Sequence, residues 1–553
     1  MSKAFARVPR GVRKKLATFA MIVLVAGLPA LGCGKDETPV NGEKPVALAM
    51  AGERERPDAP DLFGGIGWLN TSKPISLEDL RGRVVLLDFW TLCCINCIHV
   101  LPDLAKLEAK YPGVLVVIGV HTPKFPNEKN SASIRKAILR YRIAHPVVND
   151  ANHTIWRRYG VNSWPTLMLI DPEGKFYGRI SGEGVYDVLD QHIGKLVKEY
   201  KAKKKLKETP IEFNLDHEQP KTLFFPGKVL ADQKGNRLFI ADSTNNRIVI
   251  TDLEGKKIAV AGSGKEGQKD GGFAQATFSD PQGMALDGNT LYVADRKNHL
   301  IRALDLKAEK VTTIAGTGEQ DRGSRVQTGP PLKIGLNSPW DLLLHGKKMF
   351  IAMAGHHQVW ALDFAKDEIG PYAGSGREDL EDGPLKRSAL AQPSGLASDG
   401  KNLYVADSEI SAIRAMPLDG TGEVSTVVGE GLFEFGDING KGGRVRLQHA
   451  LGVAYRNGKL YVADTYNSKI KLIDPEERTC ETFAGDAPGW LADSLFNEPG
   501  GLSFAGDKLY VADTNAHRIR VIDMKTKAIS TLNLQGVDPV EPERAKKTIK
   551  IKG

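Results

Sequence analysis

One short pattern recurs six times in the second half of this chain and restricts the folds that the chain can adopt. Each copy has four mainly apolar residues, followed in five copies by aspartate, and successive copies begin 49 to 58 residues apart. Every copy belongs to a longer unit with four short strand patterns. Blades arranged in a ring leave only short, protected sheet edges, so six units predict a closed six-bladed β-propeller. The copies begin at Leu238, Leu291, Met349, Leu403, Leu460 and Leu509.

The repeat also predicts roles for its side chains. We expect the apolar residues to pack between neighbouring blades and the aspartate carboxylate to cap the turn that follows it. Asn245, Asn298 and Asn467 stand three residues after that aspartate, where we expect a left-handed backbone conformation. The third copy has Met353 in place of the aspartate. The repeats span residues 222–533 and resemble NHL repeats, a resemblance that implies an all-β six-bladed propeller.

Residues 61–205 have a different pattern, in which short apolar runs alternate with segments of helical spacing. The continuous apolar runs at 83–89, 114–120 and 166–170 are typical of buried strands, and residues 94–110 have helical spacing. Strands interleaved with helices predict an α/β domain in front of the propeller.

The strongest chemical signal is Trp90-Thr-Leu-Cys-Cys94-Ile-Asn-Cys97, which follows a buried strand and begins a helix. The amino terminus of a helix directs unpaired amides and a positive partial charge at the first cysteine of such a Cys-x-x-Cys pair. That environment favours the thiolate, which is the form that attacks a disulfide. We therefore predict Cys94 as the nucleophile and Cys97 as the resolving thiol.

Three further features match thioredoxins at the expected positions. Asp88 ends the strand before the cysteines, like the buried acid that moves protons for the resolving thiol. Pro102 lies five residues after Cys97, like the proline within the active-site helix. Trp164-Pro165-Thr166 precedes an apolar strand, like the loop whose cis-proline faces the cysteines and whose backbone pairs with the substrate chain.

Residues 61–205 resemble the membrane-tethered TlpA/ResA group of thioredoxin-like proteins. Val100 departs from that group, whose reductases often carry glutamate at this position, so their acid–base details are not transferred. The Cys-Cys-Ile-Asn-Cys site with the propeller after it resembles the NHL-repeat-containing thioredoxin-like family of bacteria and animals. That resemblance implies the architecture and says little about the physiological substrate.

Cys93 stands where thioredoxins usually carry tryptophan, and its role is open. It is either a third redox thiol, able to pair with Cys97 or with a partner, or a small side chain packed beside the site. A metal site built from three cysteines and His99 would have poor tetrahedral geometry on one helical turn. A peroxidase is a minor alternative, because Thr91 and Cys94 satisfy a Thr-x-x-Cys pattern but Leu87 occupies the position of its proline.

The remaining cysteine and several histidines of the repeats have simpler interpretations. Cys480 takes the place of an apolar strand residue, and we expect it to be a buried small hydrophobe. The histidines lie in blade turns at unequal spacing, and we expect them to be ordinary polar turn residues: His299, His356, His357 and His517.

The amino terminus has the pattern of an export signal. Residues 1–32 contain six basic residues and no acid, and the apolar run at 16–31 is short for a membrane span. The run ends in Leu-Pro-Ala-Leu-Gly before Cys33, which resembles the lipobox of bacterial lipoproteins and implies lipidation of Cys33. Polar, proline-rich residues 34–60 are expected to form a flexible tether. We expect an extracytoplasmic, periplasmic lipoprotein, with a weak preference for the outer membrane.

Charge and composition restrict the partners. Of the formal net charge of +8, the first 32 residues account for most, so the body is nearly neutral and nucleic acid binding is not expected. Residues 206–221 are predicted to link the two domains, and 534–553 to form a solvated basic tail. We expect neither a cofactor nor a metal.

These features favour an extracytoplasmic thiol–disulfide oxidoreductase that acts on protein clients with thiols or disulfides. In this hypothesis the propeller binds clients or serves as a scaffold, and its ligand is unknown. The alternatives are a non-catalytic propeller scaffold and a redox sensor in which cysteine oxidation changes how the domains dock. The intact Cys94 and Cys97 pair, with Asp88 and Pro165, favours catalysis over a structural remnant.

Overall fold

Strand β3, Val84–Trp90, forms the centre of a seven-stranded mixed sheet in the amino-terminal half of the protein. The computed structural model describes residues 48–50, 56–323, 327–486 and 495–540. All seven residues of β3 are buried, because apolar clusters cover both faces of the sheet. This agrees with the α/β fold that the alternating pattern predicts.

The sheet order is β1-β7-β6-β3-β4-β5-β2, with β3, β4 and β5 parallel and the other pairs antiparallel. The other strands are β1 Ala49–Met50, β2 Gly67–Leu69, β4 Leu115–His121, β5 Val147–Asn149, β6 Thr166–Ile170 and β7 Phe176–Ser181. The helices are α1 Ile95–Lys110, α2 Ser131–Tyr141, α3 Thr154–Arg158 and α4 Tyr186–Ala202. Among the described residues, no helix is long and apolar enough to cross a membrane.

The carboxy-terminal half is a six-bladed propeller, as the repeats predict. Each blade is one antiparallel sheet built from a continuous segment, and a two-residue strand extends the outer edge of blades 2, 4 and 5. Blade 1 contains β8 Lys228–Asp232, β9 Arg237–Asp242, β10 Arg247–Thr251 and β11 Lys257–Ala261; blade 2 contains β12 Gly271–Gly272, β13 Pro281–Asp287, β14 Thr290–Asp295, β15 Leu300–Asp305 and β16 Lys310–Ala315; blade 3 contains β17 Pro339–His345, β18 Lys348–Met353, β19 Gln358–Asp363 and β20 Glu368–Ala373. Blade 4 contains β21 Gly383–Pro384, β22 Pro393–Ser398, β23 Asn402–Asp407, β24 Ala412–Pro417 and β25 Glu423–Val428; blade 5 contains β26 Gly440–Lys441, β27 Gly452–Arg456, β28 Lys459–Asp464, β29 Lys469–Asp474 and β30 Thr479–Ala484; blade 6 contains β31 Pro499–Ala505, β32 Lys508–Asp513, β33 Arg518–Asp523 and β34 Ile529–Thr531.

The repeated aspartate has a different role from the predicted cap. In blade 1, Asp242 accepts a hydrogen bond from the backbone N–H of Phe224, 2.7 Å away, in the loop that leads into the same blade. Its second oxygen accepts from the side chain of Asn245 at 2.9 Å. The carboxylate therefore joins the incoming loop to the turn and leaves the backbone of the turn uncapped. In blade 3, the Met353 sulfur takes this place and accepts from Asn337 N–H at 3.4 Å.

The left-handed residue of each turn lies one position later than predicted, directly after Asn245, Asn298 and Asn467 in the three blades that contain them. Its side chain accepts a hydrogen bond from a backbone N–H that leads into the next blade, at 2.9–3.3 Å. The same contact recurs around the whole ring and closes it between blades 6 and 1. We call these six contacts the blade latches: Asn246–Asp280, His299–Ser338, His357–Gln392, Ser411–His449, Ser468–Glu498 and His517–Phe225.

Removing one latch is expected to destabilise the ring. In Asn246→Ala, the buried N–H of Asp280 loses its acceptor, so we expect the free energy of unfolding to fall by about 1–3 kcal/mol. Asn246→Ser is the matched control, because serine performs this role in blades 4 and 5. Urea unfolding measures both variants. Equal stability of Asn246→Ala and the parent protein would contradict this role of the latch.

The segments outside the two folds contact them in the structure. Ala49–Met50, within the predicted tether, pairs with β7, and Arg56 forms an ion pair with Asp171 at 2.9 Å. At the other end, the Gln535 carbonyl accepts a hydrogen bond from Lys257 N–H along the edge of blade 1. The described parts of both segments therefore pack against the body. Cys33 and residues 541–553 lie outside the described residues.

Candidate functional site

The two predicted redox cysteines lie at the start of α1. Cys94 is the residue that caps the helix, and its sulfur accepts a hydrogen bond from the Cys97 N–H at 3.3 Å. The Cys94 side chain is partly exposed, whereas Cys97 is 1% exposed, and both thiols are free. Burial, followed by the Cys94 sulfur, raises the pKa of Cys97 well above its usual range. An accessible thiol above a protected thiol is the arrangement that thiol–disulfide exchange requires of an attacking and a resolving thiol.

Asp88 lies on β3 beneath these cysteines, as predicted from the sequence. It is fully buried, and neither carboxylate oxygen has a hydrogen-bond partner among the described residues. Burial raises the pKa of Asp88 to about 7, against a weaker opposing effect of His145. The Asp88 charge in turn contributes to the raised pKa of Cys97. A carboxyl group with this pKa is suited to accept the Cys97 proton near neutral pH.

The loop that faces the cysteines contains the predicted cis peptide bond, between Trp164 and Pro165. The hydroxyl of Thr166 donates to the Ser163 carbonyl at 2.9 Å and so holds the loop against β6. The Trp164 ring packs on the ring of Trp156, with 4.6 Å between their centroids. Asn162 and Ser163 are exposed, so the backbone that would pair with a substrate is accessible.

Glu128 is a site residue that sequence reasoning missed. Its buried carboxylate accepts hydrogen bonds from the Thr91 hydroxyl at 2.6 Å and from the Cys93 N–H at 3.0 Å. It also accepts from the N–H groups of Lys124 and Phe125. Glu128 thus fixes the segment before Cys94. Thr91 is buried with its hydroxyl directed to this carboxylate, an arrangement that does not favour the peroxidase alternative.

The face of the propeller that carries the blade latches covers the cysteine motif. Gln392, in the loop that leads into blade 4, bonds the backbone on both sides of Cys94. Its Oε1 accepts from Ile95 N–H at 2.9 Å, and its Nε2 donates to the Cys93 carbonyl at 3.1 Å. Ile95 and Ile98 pack against Trp340 of blade 3. The Ile-Asn pair between the cysteines therefore lies at a domain interface that the sequence did not indicate.

Contacts from the thioredoxin-like domain reach all six blades. They join Arg142 to Thr244, His99 to His299 and Ser338, Ile95 to Gln392, Asn127 to Gln448, and Arg140 to Glu498. Both ring nitrogens of His99 have partners, one in Ser338 of the propeller and the other in Glu183 of its own domain. Because both ring nitrogens bond to these partners, His99 does not suit the metal site considered from the sequence.

A buried ion pair joins the two domains beside the cysteines. Lys124 Nζ contacts the Glu409 carboxylate and also donates to the Glu409 carbonyl at 2.9 Å. The side chains are 6% and 5% exposed. Although burial acts in the opposite direction on each group, the Glu409 carboxylate raises the pKa of Lys124 and Lys124 lowers that of Glu409. Both groups are therefore charged at neutral pH.

A cleft of about 210 Å³ remains between the domains and leads to Cys94. One wall belongs to the thioredoxin-like domain and includes Asn162, Ser163 and Trp164. The other wall belongs to blades 3, 4 and 5 and their connecting loops, and includes His357, Glu378, Gln392, Glu409, Leu432 and Phe433.

The remaining sequence-predicted residues are placed as follows. Cys93 is 2% exposed, and its pKa is raised by burial and then by the Glu128 and Glu409 carboxylates, which suits the packed role better than the redox role. Trp90 is buried, edge-on to His121. Cys480 is buried in the apolar core of blade 5, as expected, and burial raises its pKa to about 12. Three of the four histidines that we expected to be ordinary polar turn residues form blade latches: His299, His357 and His517.

Replacing Asp88 by asparagine tests the proton-transfer role predicted for it. We expect the step in which Cys97 attacks the mixed disulfide to slow by about 100-fold, because no base accepts the Cys97 proton. The parent rate should rise as pH passes about 7, where Asp88 ionises, and the variant should lose this rise. Stopped-flow measurement of that step gives both results. An unchanged pH profile would contradict the assignment, and urea unfolding controls for misfolding.

Comparisons with known proteins agree with both domains. A thioredoxin-like family model matches residues 82–176, and an NHL repeat model matches residues 278–304 and 496–522. The thiol-disulfide oxidoreductase ResA of Bacillus cereus is 30% identical over 22% of this chain and 69% of its own length. These matches cover the cysteine motif and two of the six repeats.

Relatives from animals and from a plant match across both domains. NHL repeat-containing protein 2 of Gallus gallus is 42% identical over 84% of this chain and 70% of its own length. Protein SUPPRESSOR OF QUENCHING 1, chloroplastic, of Arabidopsis thaliana is 43% identical over 88% of this chain but 48% of its own length. Both relatives contain further sequence outside the match. With the fold and the cysteine site in place, this similarity shows that the chain belongs to the family of thioredoxin-like proteins that contain NHL repeats.

Proposed function

We propose that this protein is a thiol–disulfide oxidoreductase that exchanges disulfides with protein clients through Cys94 and Cys97. The observation that carries the proposal is the position of the Cys94 sulfur at the start of α1, open to the cleft, above the buried Cys97 and Asp88. The similarity to ResA, a thiol-disulfide oxidoreductase by name, supports the same chemistry. A purely structural domain would not need a buried carboxyl group without partners behind its second thiol.

The proposed disulfide exchange proceeds in two steps. The Cys94 thiolate attacks one sulfur of a client disulfide, forms a Cys94–client disulfide and releases the other client sulfur as a thiolate. Asp88 then accepts the proton of Cys97, whose sulfur attacks Cys94 and releases the client thiolate. Two electrons pass to the client, and the protein is left with a Cys94–Cys97 disulfide. The reverse sequence oxidises a client dithiol.

Trapping with Cys97→Ala tests the proposal. The variant can complete the first step but not the second, so we expect it to accumulate a mixed disulfide with a disulfide-containing peptide. Intact-mass spectrometry should show one peptide half added, and dithiothreitol should remove it. The Cys94→Ala/Cys97→Ala variant is the control and should show no adduct. An adduct of equal yield in that control would assign the reactive thiol to one of the remaining cysteines and contradict the mechanism.

We further propose that the protein acts outside the cytoplasm as a lipoprotein anchored through Cys33. Support comes from the sequence alone: six basic residues, an apolar run and a small residue before the cysteine. Cys33→Ala tests the anchor. We expect the parent protein to fractionate with membranes and to incorporate labelled fatty acid, and the variant to do neither. Equal labelling of both would refute the anchor.

A further inference from the structure

We propose that the propeller selects the clients of this site, and that the cleft accepts an extended polypeptide segment with a basic side chain next to the reacting cysteine. The inference rests on the proposed exchange at Cys94 and deepens it by naming the substrate class. Three features of the cleft carry it: its shape, its apolar walls and its charge.

The shape of the cleft prevents the surface of a folded client from reaching Cys94. The cleft holds about 210 Å³, and the partly exposed Cys94 is one of its lining residues. The propeller occupies the side of the motif next to Ile95 through the Gln392 hydrogen bonds, so a client can approach only from the side of the cis-proline loop. An extended segment fits this approach, because Ser163 and Trp164 offer backbone for pairing at the edge.

The two walls of the cleft present aromatic side chains. Trp164 lies on the thioredoxin-like wall and Phe433 on the propeller wall, in the loop between β25 and β26. Phe433 is 66% exposed, an unusual environment for a large apolar ring, and Lys124 Nζ lies 5.5 Å from its centroid. An extended segment between these rings would cover the exposed face of Phe433.

Above about pH 7, where Glu378 is ionised, the charge of the cleft is negative. Lys124 is its single basic residue and is neutralised by Glu409, while burial lowers the pKa of His357 to about 4 and keeps it uncharged. The second Glu409 oxygen, Oε1, is buried and has no hydrogen-bond partner among the described residues. Glu378 lines the mouth, and no ion pair to its carboxylate occurs in the described part of the chain. A basic client side chain would supply the missing counter-charge.

Three disulfide peptides test this inference on the full-length protein. They are identical except for lysine, serine or glutamate beside the cysteine, and the assay measures the second-order rate of their reaction with the reduced protein. The assay is run at about pH 8, since desolvation and then Glu409 raise the pKa of Glu378 to about 7. We expect the lysine peptide to react about tenfold faster than the glutamate peptide, with the serine peptide between them.

Glu378→Lys should reverse this order. Glu423→Lys is the matched control, because that exposed glutamate lies on the outer strand β25, is absent from the cleft lining, and should retain the parent order. Equal rates for all three peptides in the parent protein would overturn the inference alone. An unchanged order in Glu378→Lys would also overturn it. If no peptide reacts at all, the proposed exchange is wrong and the inference falls with it.

Discussion

Cys94→Ser is expected to reduce the dithiothreitol-driven reduction of insulin to the rate of a blank without protein. Serine preserves the size of the side chain and can still accept the Cys97 N–H bond that the Cys94 sulfur accepts at 3.3 Å. It cannot form a mixed disulfide, and the partly exposed Cys94 is the thiol of the motif that a client reaches first. The loss should therefore be complete, with no change in folding. Insulin turbidity measures it directly.

Cys93→Ser is the informative comparison, since it removes an adjacent thiol that is 2% exposed. If Cys93 is a packed side chain, most of the activity should remain. Loss of activity in both variants would make Cys93 a third redox thiol, the interpretation that the sequence left open. Equal rates for Cys94→Ser and the parent protein would contradict catalysis and favour an interaction scaffold.

Most of the architecture could be predicted because it depends on local patterns that are repeated or continuous. Each of the six copies from Leu238 to Leu509 independently indicated a blade, and each blade forms from its own segment. The run that became β3 and the helical spacing of α1 placed the cysteines at the end of a strand and the start of a helix. Asp88 followed from its position at the end of the strand before that motif, and Pro165 from its position directly before an apolar strand.

What could not be predicted depends on contacts between distant residues. Gln392 lies 297 residues from Ile95, and no periodicity links them. In the sequence Glu128 is one acid in a polar loop, and only the fold places its carboxylate against Thr91 and Cys93. The left-handed turn position was placed one residue early. Asparagine after aspartate suggested it, but that asparagine donates to the carboxylate and the following residue takes the positive φ.

The same distant contacts explain why a redox domain and a propeller occur in one chain. Taken alone, the thioredoxin-like domain would present Ile95 and Ile98 to solvent, and both are nearly fully buried against Trp340. The propeller is therefore part of the environment of the candidate site, and it contributes one wall of the cleft. A separate scaffold domain would not need to bond the backbone on both sides of Cys94, the predicted nucleophile.

Breaking the Lys124–Glu409 pair should have the largest effect on stability. Lys124→Met leaves the Glu409 carboxylate buried without its cation, and Glu409→Leu leaves the Lys124 ammonium in the same position. Both side chains are almost entirely buried, so solvent screens the pair weakly. We expect each single substitution to lower the free energy of unfolding by about 3–5 kcal/mol. Urea unfolding followed by tryptophan fluorescence measures the loss.

The double variant shows whether Lys124 and Glu409 act as an ion pair or contribute to stability independently. Lys124→Met/Glu409→Leu contains no unpaired buried charge, so it should be more stable than either single variant and approach the parent protein. The difference from additivity is the coupling free energy of the pair. Because Lys124 belongs to the thioredoxin-like domain and Glu409 to blade 4, this coupling also measures the docking of the domains. Additive losses would contradict the ion pair and this part of the contact between the domains.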